Sequence, residues 1–187
     1  MDLRSYHKRE LTLGVGKANL YSLSFLIPTL FVFLIPFLLI WPDSLNVEDF
    51  QGLIKGKLFL FLGLLIAGIF LHEAIHGLTW AIFCKNGFRS IKFGVIWKAI
   101  TPYCHCKEIL PIWHYRLGTI MPGLILGFIP ALIGIISGSV LALIFGIVFT
   151  VAAGGDFIFI WLLRKEASNR YVEDHPDKIG CILYSPK

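Results

Sequence analysis

The residues best equipped for chemistry lie in one short run, His72-Glu73-Ala74-Ile75-His76, in which two imidazoles bracket a carboxylate. Residues four apart on a helix sit one turn apart on the same face. Two imidazole nitrogens at that spacing can reach one metal ion at about 2.0–2.1 Å. Glu73 lies about 100° around the helix from His72, so it misses the ion and reaches a water bound to it, as a general base does. With six His and six Glu in 187 residues, chance supplies roughly 0.006 such runs. The competing reading is a pair of core histidines and a glutamate satisfied by hydrogen bonds between helices.

A catalytic zinc takes three protein ligands and keeps one position open, so a third ligand must come from elsewhere in the chain. Asp156 is the candidate: it is the one other ionisable side chain within the long apolar runs described next. Its alternative role is to cap a local helix break at Gly154-Gly155 or to hydrogen-bond a neighbouring helix.

The elements that must carry these residues are transmembrane. Hydrophobic residues make up 56% of the chain and charged ones 16%, with a mean hydropathy of +0.74, far too apolar for a soluble domain. Four runs reach the roughly 20 residues needed to cross a bilayer: Leu20–Trp41, Leu58–Cys84, Leu117–Ile136 and Ser139–Leu163. Ser137-Gly138-Ser139 is the expected tight turn between the last two. Lys and Arg number four before the first span, two in the first loop, six in the second, none in the third and five after the last. That alternation predicts both termini and the Lys85–Arg116 loop on the cytoplasmic side, with the acidic Asp43, Glu48 and Asp49 loop outside. The expected fold is an all-α membrane protein of four transmembrane helices, with a short cytoplasmic β-rich hairpin between the second and third. It forms one domain over 1–187, multi-pass in the cell membrane and without a cleaved targeting peptide.

A net charge of +5 could suggest nucleic acid, but the cations sit between apolar runs and form no basic face, so no nucleic-acid partner is expected. The partners are the lipid bilayer and a peptide or membrane-protein substrate. Cys84, Cys104, Cys106 and Cys181 all fall on the cytoplasmic side and are expected as reduced thiols.

The loop from Phe88 to Cys106 is rich in β-branched and aromatic residues and reads as one or two short strands. Two readings stay open: an edge strand that receives an extended substrate, or an interfacial hairpin that anchors the bundle. Strand alternation turns Cys104 and Cys106 to one face and His105 to the other, which argues against a second metal site there. His105 is a candidate contact for substrate or transition state, or else a plain loop histidine. His114 and Arg116 read as interfacial residues at the start of the third span. Pro28, Pro36, Pro122 and Pro130 predict kinked helices. Gly123-x-x-x-Gly127 and Gly134-x-x-x-Gly138 suit close helix packing, within the chain or between copies.

Over Leu58–Arg164 the chain resembles the site-2-protease-like intramembrane metalloproteases, and more closely a small bacterial zincin membrane peptidase family. The resemblance rests on His72–His76, on Tyr103-Cys104-His105-Cys106-Lys107-Glu108 followed by His114-Tyr115-Arg116, on Met121-Pro122-Gly123 and on Gly155-Asp156. It implies Zn2+ held by His72, His76 and Asp156, peptide-bond hydrolysis by zinc-activated water, and Glu73 as catalytic acid/base. Site-2 proteases place the third ligand in an Asn-Pro-Asp-Gly context. Here Ala153-Gly154-Gly155-Asp156-Phe157 keeps only the aspartate, which leaves transition-state stabilisation without an assigned donor. Two rival functions are a non-proteolytic membrane metal-binding protein or transporter and an inactive scaffold. The first and third spans carry no ionisable groups to line a transport path, and a scaffold has no need to keep Glu73.

Overall fold

The computed structural model describes residues 5–44, 47–97, 101–176 and 178–187. Arg4 and Lys98 of the charge count lie outside them. In chain order the elements are β1 (Tyr6–Leu13), α1 (Leu20–Ile40), α2 (Val47–Phe83), β2 (Ile91–Ile96), β3 (Thr101–Cys106), β4 (Leu110–Pro111), α3 (Ile112–Ser137), α4 (Val140–Ala152), α5 (Gly154–Leu163), β5 (Tyr171–Asp174) and β6 (Ile179–Pro186).

This architecture corrects the all-α expectation. The fold is mixed α and β, with two antiparallel sheets: a four-stranded one in the order β1-β6-β5-β4 and the β2–β3 hairpin. The expected hairpin is present, but the larger sheet was not foreseen. Its longest pairing joins the two ends of the chain, from Tyr6↔Pro186 to Leu13↔Ile179. β1 is charged and carries little hydrophobic signal, and the pairing of two segments so far apart in sequence has no local signature.

The four expected helices are corrected too. Three are long and apolar enough to cross a membrane, Leu20–Ile40, Leu58–Phe83 and Ile112–Ser137. The fourth apolar run is a bent pair, α4 and α5, with 48° between them. The bend falls at Ala153-Gly154-Gly155, where glycine weakens the helix.

The contacts group the chain into two compact units, one comprising the chain up to Leu20, Glu73–Met121 and Gly155–Lys187, the other Tyr21–His72 and Pro122–Gly154. All four cuts, at Leu20/Tyr21, His72/Glu73, Met121/Pro122 and Gly154/Gly155, fall within helices.

In the first unit, β6 turns Cys181 and Leu183 inward against Val172 of β5, Leu110, Ile112 and Leu163, and the core continues to Trp80, Ala81 and Cys84 at the end of α2. Burying each large aliphatic side chain contributes about 1.5–3 kcal/mol. Gly180 is needed at φ 143, since a Cβ there would meet the Leu11 carbonyl oxygen at 2.1 Å. Glu108 fastens the end of α2 by accepting from the Ser90 hydroxyl, from Lys85 N at 2.9 Å and from Asn86 N at 3.1 Å. These donors, Ser90 first, hold its carboxyl below the usual carboxylate range.

The same core keeps its thiols inert. Cys106 and Cys181 are buried, and Cys84 Sγ lies 3.5 Å from Cys106 Sγ. Burial pushes the Cys181 thiol up to about 12 and raises those of Cys104 and Cys106. At pH 7 the Cys181 thiolate is on the order of 10³-fold scarcer than in a free cysteine. Maleimide labelling followed by mass spectrometry is expected to modify Cys106 and Cys181 only after denaturation. Rapid labelling of Cys181 in the native protein would contradict this core.

In the second unit, α1 and α3 each contain a π-helical turn, Leu30–Leu34 and Gly123–Phe128. Each turn lies between two prolines eight residues apart, Pro28 and Pro36 in one, Pro122 and Pro130 in the other. Missing proline N–H groups break the regular ladder, and the wider turn absorbs the change. Phe33, Phe37, Ala131, Leu143 and Ile147 form the core, with Phe33 edge-on to Phe128 at 5.5 Å. A Cβ on Gly146 would sit 2.3 Å from Ala131 N, and one on Gly134 2.5 Å from Leu143 N. The small residues thus serve close packing of α3 on α4 within the chain. The expected turn is where the sequence places it: Gly138 takes φ 72, and Ser139 caps α4 by accepting from Ala142 N.

The outward helix surfaces are apolar. Phe59 is 89% exposed, Leu39 78% and Ile136 77%, an arrangement suited to lipid and unfavourable in water.

Candidate metal centre

The site begins on α2, where His72, Glu73 and His76 fall within little more than one helical turn. The His76 ring is buried at 5% exposure and fixed on both sides. Its Nδ1 donates to the Gly118 carbonyl of α3 at 2.8 Å. Its face stacks on Trp80 at 5.1 Å, and Trp80 stacks in turn on Tyr115 at 5.4 Å. Trp80 Nε1 donates to the Tyr115 carbonyl at 3.2 Å. Donors four residues apart on α2 therefore meet carbonyls three residues apart on α3, as antiparallel neighbours allow. A carbonyl can only accept, so Nδ1 carries a proton in this contact and Nε2 is the ring nitrogen left to ligate a metal.

His76 Nε2 faces Asp156 Oδ1, 3.4 Å away. Asp156 reaches it because the chain restarts as α5 at Gly154, which puts the carboxylate in the first turn at the positive end of the new helix. His72, His76 and Asp156 each offer one ligand atom, and these atoms lie within 4.8 Å of one another, the one such group of three among the described residues. Two ligands about 2.1 Å from one ion at a tetrahedral angle stand ~3.4 Å apart. The His76–Asp156 separation fits that figure, and two imidazoles with one carboxylate are a donor set zinc favours.

The remaining candidates lie elsewhere. His105 on β3 is opposite Lys92 of β2, with Nδ1 3.8 Å from Asp174 Oδ2. Buried Asp174 accepts from Cys106 N at 2.7 Å and from the Tyr115 hydroxyl at 2.6 Å, yet burial still pushes its carboxyl up. Cys106 lies in the core with Cys104 packed against it. His114 stacks on Phe83 at 3.9 Å, and Arg116 donates to the carbonyls of Leu163 and Glu166. The hairpin lies along α2, since a Cβ on Gly77 would meet the Phe93 ring at 2.6 Å. Sequence reasoning gave no role to Trp80, Tyr115, Asp174 or the Gly118 carbonyl. The first three look like ordinary core or loop residues, and every residue has a carbonyl.

A helical His-x-x-x-His pair with an intervening glutamate and a converging carboxylate defines a zincin-type metal centre. The family model DUF3267, putative zincin peptidase, matches residues 65–171, more than half of the chain and all four residues of the centre. The chain belongs to that family. No curated protein and no solved structure matches it.

Proposed function

We propose that this protein is a membrane-embedded, site-2-protease-like zinc metallopeptidase that hydrolyses peptide bonds near the cytoplasmic face, with Zn2+ held by His72, His76 and Asp156. The observation that carries the reading is the convergence of these three ligand atoms beside Glu73 on an apolar helix. Bound zinc would lower the pKa of a water to about 7 and polarise the scissile carbonyl. Glu73, one residue beyond His72, takes the proton of the attacking water and hands it to the leaving amine. Gly118 and Trp80 fix the His76 ring, so little reorganisation accompanies reaction. Asp156 offsets charge in a setting where an unpaired carboxylate costs several kcal/mol.

Lipid-facing helix surfaces support the membrane setting. The β1–β6 pairing supports both ends lying on one side, and the β4–β5 pairing supports the end of the Lys85–Arg116 loop lying with them. The charge distribution makes that side cytoplasmic. The substrate is a peptide or membrane-protein segment, and the exposed Trp97 and half-exposed Phe93 of the hairpin offer it apolar contacts.

Purified protein in detergent is expected to carry zinc near one equivalent and to cleave a quenched-fluorescence peptide library. A chelator should abolish cleavage, and added Zn2+ should restore it. Cleavage indifferent to chelation would sink the metallopeptidase reading. Tightly held zinc with no cleavage of any peptide would favour the non-proteolytic metal-binding alternative.

A further inference from the structure

The carbonyl that holds His76 is made available by a missing donor. In an α-helix the carbonyl of residue i accepts from the N–H of residue i+4. Four residues after Gly118, still within the helical stretch Ile112–Pro122, stands Pro122, which has no N–H to give. The α-helical donor to Gly118 O is therefore absent, and His76 Nδ1 stands in its place at 2.8 Å. Tyr115, one turn earlier on the same face, shows the contrast. The residue four positions on is Thr119, which does carry an N–H, and the Tyr115 carbonyl is shared between Trp80 Nε1 at the longer 3.2 Å and the Thr119 hydroxyl at 2.9 Å.

Position 118 is constrained as well. A Cβ there would lie 2.1 Å from Trp80 Nε1, so only glycine lets α2 approach α3 closely enough for this contact. Glycine and proline four apart thus do two jobs: Gly118 sets the approach, and Pro122 leaves the carbonyl available.

We infer that Pro122 is a positioning residue for the metal site: by withholding an N–H from Gly118 O, it reserves that carbonyl for His76 Nδ1 and so holds the ring with Nε2 turned toward the metal. The inference rests on the metal-site reading above. Groups that orient a ligating histidine typically alter metal affinity 10- to 100-fold when removed.

Pro122→Ala restores the competing N–H while replacing a helix breaker with a good helix former. Zinc affinity of the full chain in detergent, measured by competition with a chromophoric chelator, should fall about 10- to 100-fold. Thermal stability of the metal-free protein should hold or rise, because alanine suits a helix better than proline. A purely structural proline predicts lower stability and unchanged affinity. Pro130→Ala, in the same span but away from Gly118, should leave zinc affinity at the wild-type value. Nitrogen-15 NMR of histidine in the metal-free wild-type chain should show His76 Nδ1 protonated and hydrogen-bonded, and Pro122→Ala should weaken that hydrogen bond. A wild-type ring without a proton on Nδ1, or a Pro122→Ala chain with wild-type affinity and an unchanged Nδ1 signal, would overturn the inference. Failure of the wild-type chain to take up zinc would overturn the metal-site reading instead, and the Nδ1 proton would still be read in the metal-free chain.

Discussion

Replacing Glu73 by Gln is expected to leave zinc bound and to lower peptide hydrolysis by about 10²- to 10⁴-fold, the range usual for losing a positioned general base. Glutamine keeps the size of the side chain but cannot take a proton from water. Glu73 sits between two ligands on one helical turn, about 100° away from His72 around the axis, and it is not one of the three residues whose ligand atoms converge. Metal content by mass spectrometry and turnover of a fluorogenic peptide separate the two effects. Full turnover in Glu73→Gln would exclude the mechanism, and loss of zinc would make Glu73 a ligand.

The second large effect is expected at Asp156. Asp156→Ala leaves two histidines for an ion that takes three protein ligands in catalytic sites, so zinc affinity should fall by more than the 10- to 100-fold typical of losing a group that only orients a ligand. Hydrolysis should vanish with it. Asp156→Asn keeps the shape and removes the charge, and should also lose most of the zinc, because the carboxylate is the anionic member of the set. The measurements are zinc stoichiometry after desalting and the zinc-dependent rise in melting temperature, which scales with RT ln(1 + [Zn]/Kd). In the wild-type chain that rise should be clear, and in both variants nearly absent. A variant that keeps one equivalent of zinc and the full rise would assign the third ligand elsewhere while leaving His72 and His76 in place.

Several parts of the molecule were legible before any coordinates. The His72–His76 run could be read because helical periodicity is a local property: the identity of five consecutive residues and a 3.6-residue turn suffice to bring two imidazoles together. The apolar runs announced helices long and apolar enough to cross a membrane, and Ser137-Gly138-Ser139 announced the turn that Gly138 makes at φ 72. The bend at Gly154 was signalled only as a possible helix break, and its angle depended on packing. A Cβ on Gly154 would meet Ser22 Cα at 2.7 Å, a contact with a segment over a hundred residues earlier.

Composition and spacing determined the chemistry available: two imidazoles at metal-ligand spacing, a carboxylate between them, and one spare carboxylate in an apolar chain. Tertiary structure decided what that inventory becomes. It closed the distance from His76 to Asp156 to 3.4 Å across 80 residues of sequence, and it aimed the Gly118 carbonyl at the other nitrogen of the same ring. It also joined the two ends of the chain in a sheet whose pairing has no local signature in the sequence. The physical reason is one of range. A helix is specified by hydrogen bonds four residues apart, whereas a strand pair, a third ligand or a carbonyl's partner is specified by where distant segments pack.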